Sequence, residues 1–238
     1  MSISPSALHI LNAIYDMYSD IHLGSSDACN ACANLPFWKE GEGTARIGPV
    51  PIYHVGNTYA EAKKKIVFVA SVGYGWYKEE SDKTHLPEQC MEYDKLSLSG
   101  RKTLIHKMRE AQEYQLEENK ISIYKALNAV RTLYGNELHF DNIALLNLFH
   151  CNDGGTPNRY PADAKGYCCH QKQGNYPFER TLKILNPDIF IGMCNKQDEW
   201  ILKQEFIREN YIGELFGHPS RKPISPYAQD IVDYIKTQ

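Results

Sequence analysis

Four short apolar runs, each separated from the next by residues of helical periodicity, restrict this chain more than any other feature. They are KKKIVFVASVG (residues 63–73), DNIALLNLFHC (141–151), DIFIGMC (188–194) and YIGELFG (211–217). Each is too short for a buried helix, and the first is rich in β-branched residues, so each reads as a buried strand, the second over about 143–149. Residues 97–134 are helical in pattern, with a break near Glu118–Asn119. FERTLKILNP predicts a helix stopped at Asn186-Pro187, residues 195–209 a further helix, and SPYAQDIVDYIKT a closing helix that starts at Ser225 or Pro226. Near the N-terminus Leu8, Ile10, Leu11, Ile14, Tyr15 and Tyr18 recur at helical spacing and predict a helix over 5–20. Strands alternating with helices imply a parallel sheet covered on both faces. The expected fold is therefore α/β, a three-layer αβα arrangement with a central four-stranded parallel sheet. The 238 residues contain no internal repeat and no linker, so they form one domain, 1–238.

Charge and cysteine content narrow the function classes. The net charge of -3 gives no global nucleic-acid footprint, although a local patch can still touch a few phosphates. The lysine triplet Lys63–Lys65 reads as a solvated cap before the first strand. No run of about 18 apolar residues occurs, so no membrane span is expected, and the first residues lack the charged start and cleavable apolar core of a secretory signal. A cytoplasmic protein is the expectation. In that compartment the seven cysteines stay reduced and do not build a disulfide framework. Cys29 and Cys32 form a C-x-x-C pair inside the Gly/Pro/Asn-rich loop from Gly24 to Gly56, while Cys151, Cys168 and Cys169 lie far along the chain. A loop of that length points to function, disorder or a tether such as a metal site. Cys194, after DIFIGM, reads as a small buried residue.

In a parallel sheet of this type, ligands bind beyond the carboxyl ends of the strands. The four runs lead into SVGYGW, NLFHCN, GMCNK and GHPSRK, so four loops converge on one crevice. Taken alone, HPSRKP is a surface turn shaped by Pro219 and Pro223.

The ordered set of C-x-x-C, an Asn shortly before a Cys at a strand end, N-R-x-P (Asn158 to Pro161), a later Cys, P-D-I-F-I-G and H-P-S resembles the iron–sulfur type of uracil-DNA glycosylase. The resemblance runs from Cys29 to Ser220 and implies a uracil-DNA-glycosylase-like fold acting on DNA as a monomer. It implies a [4Fe–4S] cluster held by Cys29, Cys32, Cys151 and Cys169, the last favoured over Cys168 by the family's spacing after the N-R-x-P proline. A structural zinc uses the same four thiolates and stays open. The resemblance assigns His218 as the donor to the departing base and Asn147 as the base-reading amide, both counted as catalytic. Ser220 and Arg221, with Lys222 beside them, would grip a phosphate.

The chain departs from that family after the first strand. Where the family has a G-E-A-P-G-like loop that positions the attacking water, this chain has Ala70, Ser71, Val72, Gly73 and Tyr74, without a carboxylate. Ser71, Gly73, Tyr74 and Trp76 are the residues expected against the base, the rings by stacking. The altered motif leads to the expectation of a modified or bulky pyrimidine, such as a hypermodified viral base, as substrate. A conventional uracil-DNA glycosylase and a catalytically dead nucleic-acid binder are the alternatives. A doubly wound nucleotide-binding enzyme fits poorly, because S-V-G-Y-G-W has neither the G-x-G-x-x-G nor the P-loop spacing.

Overall fold

The computed structural model describes residues 3–27, 29, 54–72, 97–119, 121–135, 137–149, 177–194 and 205–238. Its first helix, α1 (Pro5–Asp20), begins where Ser4 accepts the Ala7 N–H on its hydroxyl, with Pro5 in the first turn. Ala7, Leu11, Ile14, Tyr15 and Tyr18 are buried along one stripe. Two further helices, α2 (Leu98–Glu118) and α3 (Ser122–Tyr134), are separated by Asn119 in the left-handed region at φ 51°. An asparagine tolerates that conformation, which satisfies the last turn of α2 and stops it.

The sheet holds β1 (His54–Val55), β2 (Ile66–Val72), β3 (Ile143–Phe149), β4 (Ile189–Gly192) and β5 (Gly213–Leu215) in the order β1-β3-β2-β4-β5. All four expected strands are present and parallel to one another. The expected count of four is corrected to five, because β1 adds itself antiparallel to β3, pairing His54 with Leu145. Two residues at the end of a Gly/Pro-rich loop carry no readable alternation, which is why this strand has no sequence signature. Ile66–Ala70, Ile143–Leu148 and Ile189–Ile191 are buried throughout, as strands covered on both faces must be.

The remaining helices are α4 (Pro177–Leu185), α5 (Glu205–Asn210) and α6 (Ile224–Thr237). Of the stretch 195–209 expected as one helix, 195–204 lies outside the described residues. The closing helix starts at Ile224 after Pro223, one residue before the expected Ser225 and two before Pro226. Pro226 sits harmlessly in the first turn, where its missing N–H has no partner to lose. The chain runs from β2 to β3 in one direction and back past β2 to β4, and right-handed crossovers put those two connections on opposite faces. In keeping with that, α1 packs on α4, and α3 on α6.

At the amino edge of the sheet, Arg109 is 7% exposed and ties three segments together. Its guanidinium donates to Glu113 Oε1 at 3.0 Å, Asn57 Oδ1 at 2.9 Å and Asp141 Oδ1 at 3.0 Å. Asn57 Oδ1 also accepts the Ser4 N–H, joining the start of α1 to the same hub. The lysine triplet lies at this edge too. Lys64 donates to the Ile235 carbonyl near the end of α6, where a cation is favoured.

His54 is buried beside this hub, its ring stacked on Phe140 and its Nε2 donating to the Phe140 carbonyl at 2.6 Å. Burial lowers its pKa from 6.5 to about 3, against the opposing pull of that hydrogen bond. Between those values the unfolded chain binds the proton and the folded protein does not. The contribution of His54 is therefore intact above pH 6.5 and is lost progressively as the pH falls toward 3. Urea unfolding of wild type and His54→Phe between pH 7.5 and 4.5 checks this. Below pH 6.5 the wild type should lose stability more steeply, by up to about 1.4 kcal/mol per pH unit, and parallel slopes would refute it.

Candidate functional site

In a sheet whose parallel strands run in the order β3-β2-β4-β5, the reversal of direction falls between β2 and β4. Connections leave these two strands toward opposite faces, and the crevice that opens beyond their carboxyl ends is the usual ligand site of such folds. Gly192, Met193 and Cys194 close β4 at this edge, and the Met193 N–H donates to the Val69 carbonyl at 2.7 Å. Cys194 is fully buried, as its sequence setting suggests.

Asn147 lies near the carboxyl end of β3, in register with Ala70 of β2. Its side chain is 6% exposed and has no hydrogen-bond partner among the described residues. A buried carboxamide offers a donor and an acceptor side by side and loses about 1–3 kcal/mol for a group left unmade.

The same edge receives the H-P-S turn. The ladder continues past β5 as the Phe216 N–H donates to the Gly192 carbonyl at 2.8 Å, and Gly217 then turns the chain at φ 73°. This left-handed conformation costs glycine little, and it swings His218 away from the strand. Pro219–Arg221 forms a short 3-10 turn, with Pro219 buried and the turn seated against α3.

Two contacts with Ser220 bear on the ring nitrogens of His218. The Ser220 backbone N–H donates to Nδ1 at 3.2 Å, and Ser220 Oγ lies 2.7 Å from the same atom. A backbone N–H can only donate, so in this contact Nδ1 acts as the acceptor, and Nε2 is the ring nitrogen left to carry a donor proton. The Ser220 hydroxyl is thereby engaged with His218. The phosphate grip expected of Ser220 would have to compete with this contact. Lys222, expected to add charge, donates to the Phe216 carbonyl at 2.7 Å.

Asn147 and His218 therefore share one edge of the sheet, with β2 and β4 between their strands. Three strand spacings of about 4.8 Å separate β3 from β5, roughly 14 Å of sheet. A hydrogen bond of about 3 Å at either end leaves room between them for a flat ring. Ser71 is the penultimate residue of β2, in the middle of this edge. The side chains of Ser71 and Arg221 lie outside the described set, as do Gly73, Tyr74 and Trp76. The lysine triplet is at the other end of the strands and takes no part.

Of the four expected metal ligands, Cys29 is described, and Cys32, Cys151 and Cys169 lie outside the described residues, together with Cys168. Cys29 is 5% exposed, and its Sγ accepts the Gly24 N–H at 3.2 Å. A sulfur that accepts a backbone N–H suits a thiolate ligand, because such bonds stabilise charge on sulfur. Among the described residues no group of three or more His, Cys, Asp or Glu side chains forms a metal site. No described helix is long and apolar enough to cross a membrane.

Sequence reasoning missed Tyr227. Its hydroxyl donates to the Gly217 carbonyl at 2.7 Å, ten residues back along the chain, and no local pattern announces such a contact. Compared with protein-family models, curated proteins and solved structures, the chain matches none of them.

Proposed function

We propose that the protein is a DNA glycosylase that extrudes a modified or damaged pyrimidine and cleaves its N-glycosidic bond. The observation that carries this reading is the Ser220 N–H donating to His218 Nδ1, an arrangement that favours a donor proton on Nε2, at the same sheet edge as the buried amide of Asn147. When the bond from C1′ to the base nitrogen breaks, the electron pair leaves with the base. Water adds at C1′ and the base finally takes up a proton. A neutral imidazole N–H aimed at a base carbonyl stabilises the anion as it develops, in the manner of an oxyanion hole. The Asn147 amide can pair with the Watson–Crick edge of the extruded pyrimidine.

The end of β2 supplies the substrate argument. Ala70, Ser71 and Val72 bring no carboxylate to activate water, so leaving-group stabilisation has to do more. That suits a pyrimidine whose substituent makes it a better leaving group or fills a wider pocket than uracil does. DNA is the partner, and the chain works as a monomer in the cytoplasm on a uracil-DNA-glycosylase-like scaffold of three layers. Cys29, Cys32, Cys151 and Cys169 hold a [4Fe–4S] cluster, with zinc as the alternative, and the group tethers distant loops.

A substrate panel tests the reading. Purified protein is incubated with oligonucleotides bearing uracil, thymine and 5-substituted pyrimidines, single- and double-stranded, and free base is measured by mass spectrometry. Release of a substituted pyrimidine with little release of uracil is the expected result. Robust uracil release would remove the case for a modified base. Tight DNA binding without release from any substrate would identify a catalytically dead relative. Iron and acid-labile sulfide content separates the cluster from zinc.

A further inference from the structure

Two side chains, Tyr227 and Lys222, close on the backbone that carries His218. Tyr227, in the first turns of α6, donates its hydroxyl to the Gly217 carbonyl at 2.7 Å. Lys222 donates to the preceding carbonyl, Phe216, at 2.7 Å, and its Nζ lies 5.4 Å from the centre of the Tyr227 ring. The Tyr227 ring meets Phe216 edge-on at 6.4 Å, and Phe216 also meets Tyr234 at 5.8 Å. Burial raises the Tyr227 pKa above its ordinary value, so the phenol keeps its proton and remains a donor.

We infer that Tyr227 and Lys222 are positioning residues that lock the peptide carbonyls on either side of the Gly217 turn and so fix the direction of the His218 ring. Gly217 at φ 73° is the one torsion that swings His218 off the strand axis, and glycine resists rotation there very little. A left-handed glycine with free carbonyls on both sides would let the ring wander. Here both carbonyls are held, one by the closing helix and one by the far end of the turn itself. The two clamping groups are also coupled, since the ammonium lies over the face of the ring that bears the other donor. Positioning of this kind matters because a donor displaced by about 1 Å loses much of its effect on a developing charge.

The inference rests on the reading of His218 as the donor to the base, and the test separates the two. Full-length protein labelled with ¹⁵N-histidine is examined by NMR as wild type and as Tyr227→Phe, which removes only the hydroxyl. In the wild type His218 should show an unprotonated Nδ1 and a protonated Nε2. In Tyr227→Phe the two tautomers should mix as the ring leaves the Ser220 N–H. On the substrate found by the panel, kcat should fall about tenfold with KM nearly unchanged. Lys222→Met should move both readouts the same way and serves as the second variant if Tyr227→Phe proves unstable. An unchanged His218 signature together with wild-type kcat in both variants would overturn the clamp. A tautomer shift in a protein that releases no base would uphold the clamp and reject the glycosylase reading.

Discussion

Replacing His218 with alanine is expected to slow base release about 10²–10³-fold, the usual cost of removing one preorganised donor from a developing oxyanion. The folded state should lose far less than activity does, since the ring is partly exposed. Single-turnover release from the preferred substrate measures the first effect and thermal unfolding the second. A His218→Gln variant sharpens the experiment. Glutamine retains an N–H donor but cannot accept the Ser220 N–H while holding that donor in the same direction, so it should recover part of the loss. If His218→Ala releases base within about threefold of wild type, the departing base draws no help from this ring. A large drop in melting temperature would instead make the residue a structural one.

The second large effect lies at the opposite edge of the sheet. Gly56→Ala is expected to destabilise the protein by about 3 kcal/mol, at the upper end for steric overpacking. A Cβ at this position would overlap the Asp141 carbonyl group and sit 2.8 Å from the Asn142 nitrogen. These are backbone atoms, so relief requires moving a whole segment. That segment is bound to the glycine's own neighbourhood, because the Gly56 N–H donates to the Ile143 carbonyl and the Thr58 N–H to the Asp141 carbonyl. Shifting it also pulls Asp141 away from Arg109, whose buried charge depends on its partners. Chemical denaturation of wild type and variant decides the matter. A change below about 0.5 kcal/mol would mean that the loop moves aside freely.

How much of this was legible in the sequence differs by element. The four parallel strands were readable because each carries an unbroken apolar run, as burial on both faces requires of the central ones. The break between α2 and α3 was readable because Asn119 is one of the few residues that accept φ 51°. β1 was not readable, since two residues have no period. The candidate site was legible as an order of loops along one edge, because a parallel sheet gathers every strand's carboxyl end there. The contact of the Ser220 N–H with His218 Nδ1 was not, because it is a matter of turn geometry and not of residue type. Tyr227 was missed for the same reason: a side chain that reaches a carbonyl ten positions earlier leaves no spacing rule behind. The thiol set rests on the resemblance beyond Cys29, whose sulfur environment the fold does describe.

The short antiparallel pairing of His54–Val55 with Ala144–Leu145 has a consequence for solubility. The apolar residues of β3 would otherwise line the rim of the sheet with open amides and carbonyls, a template onto which a second molecule can zip. Two residues of reversed direction cover part of that rim. Loosening them should therefore be seen first as clumping at high protein concentration, before any loss of helical signal, with light scattering rising ahead of the unfolding transition.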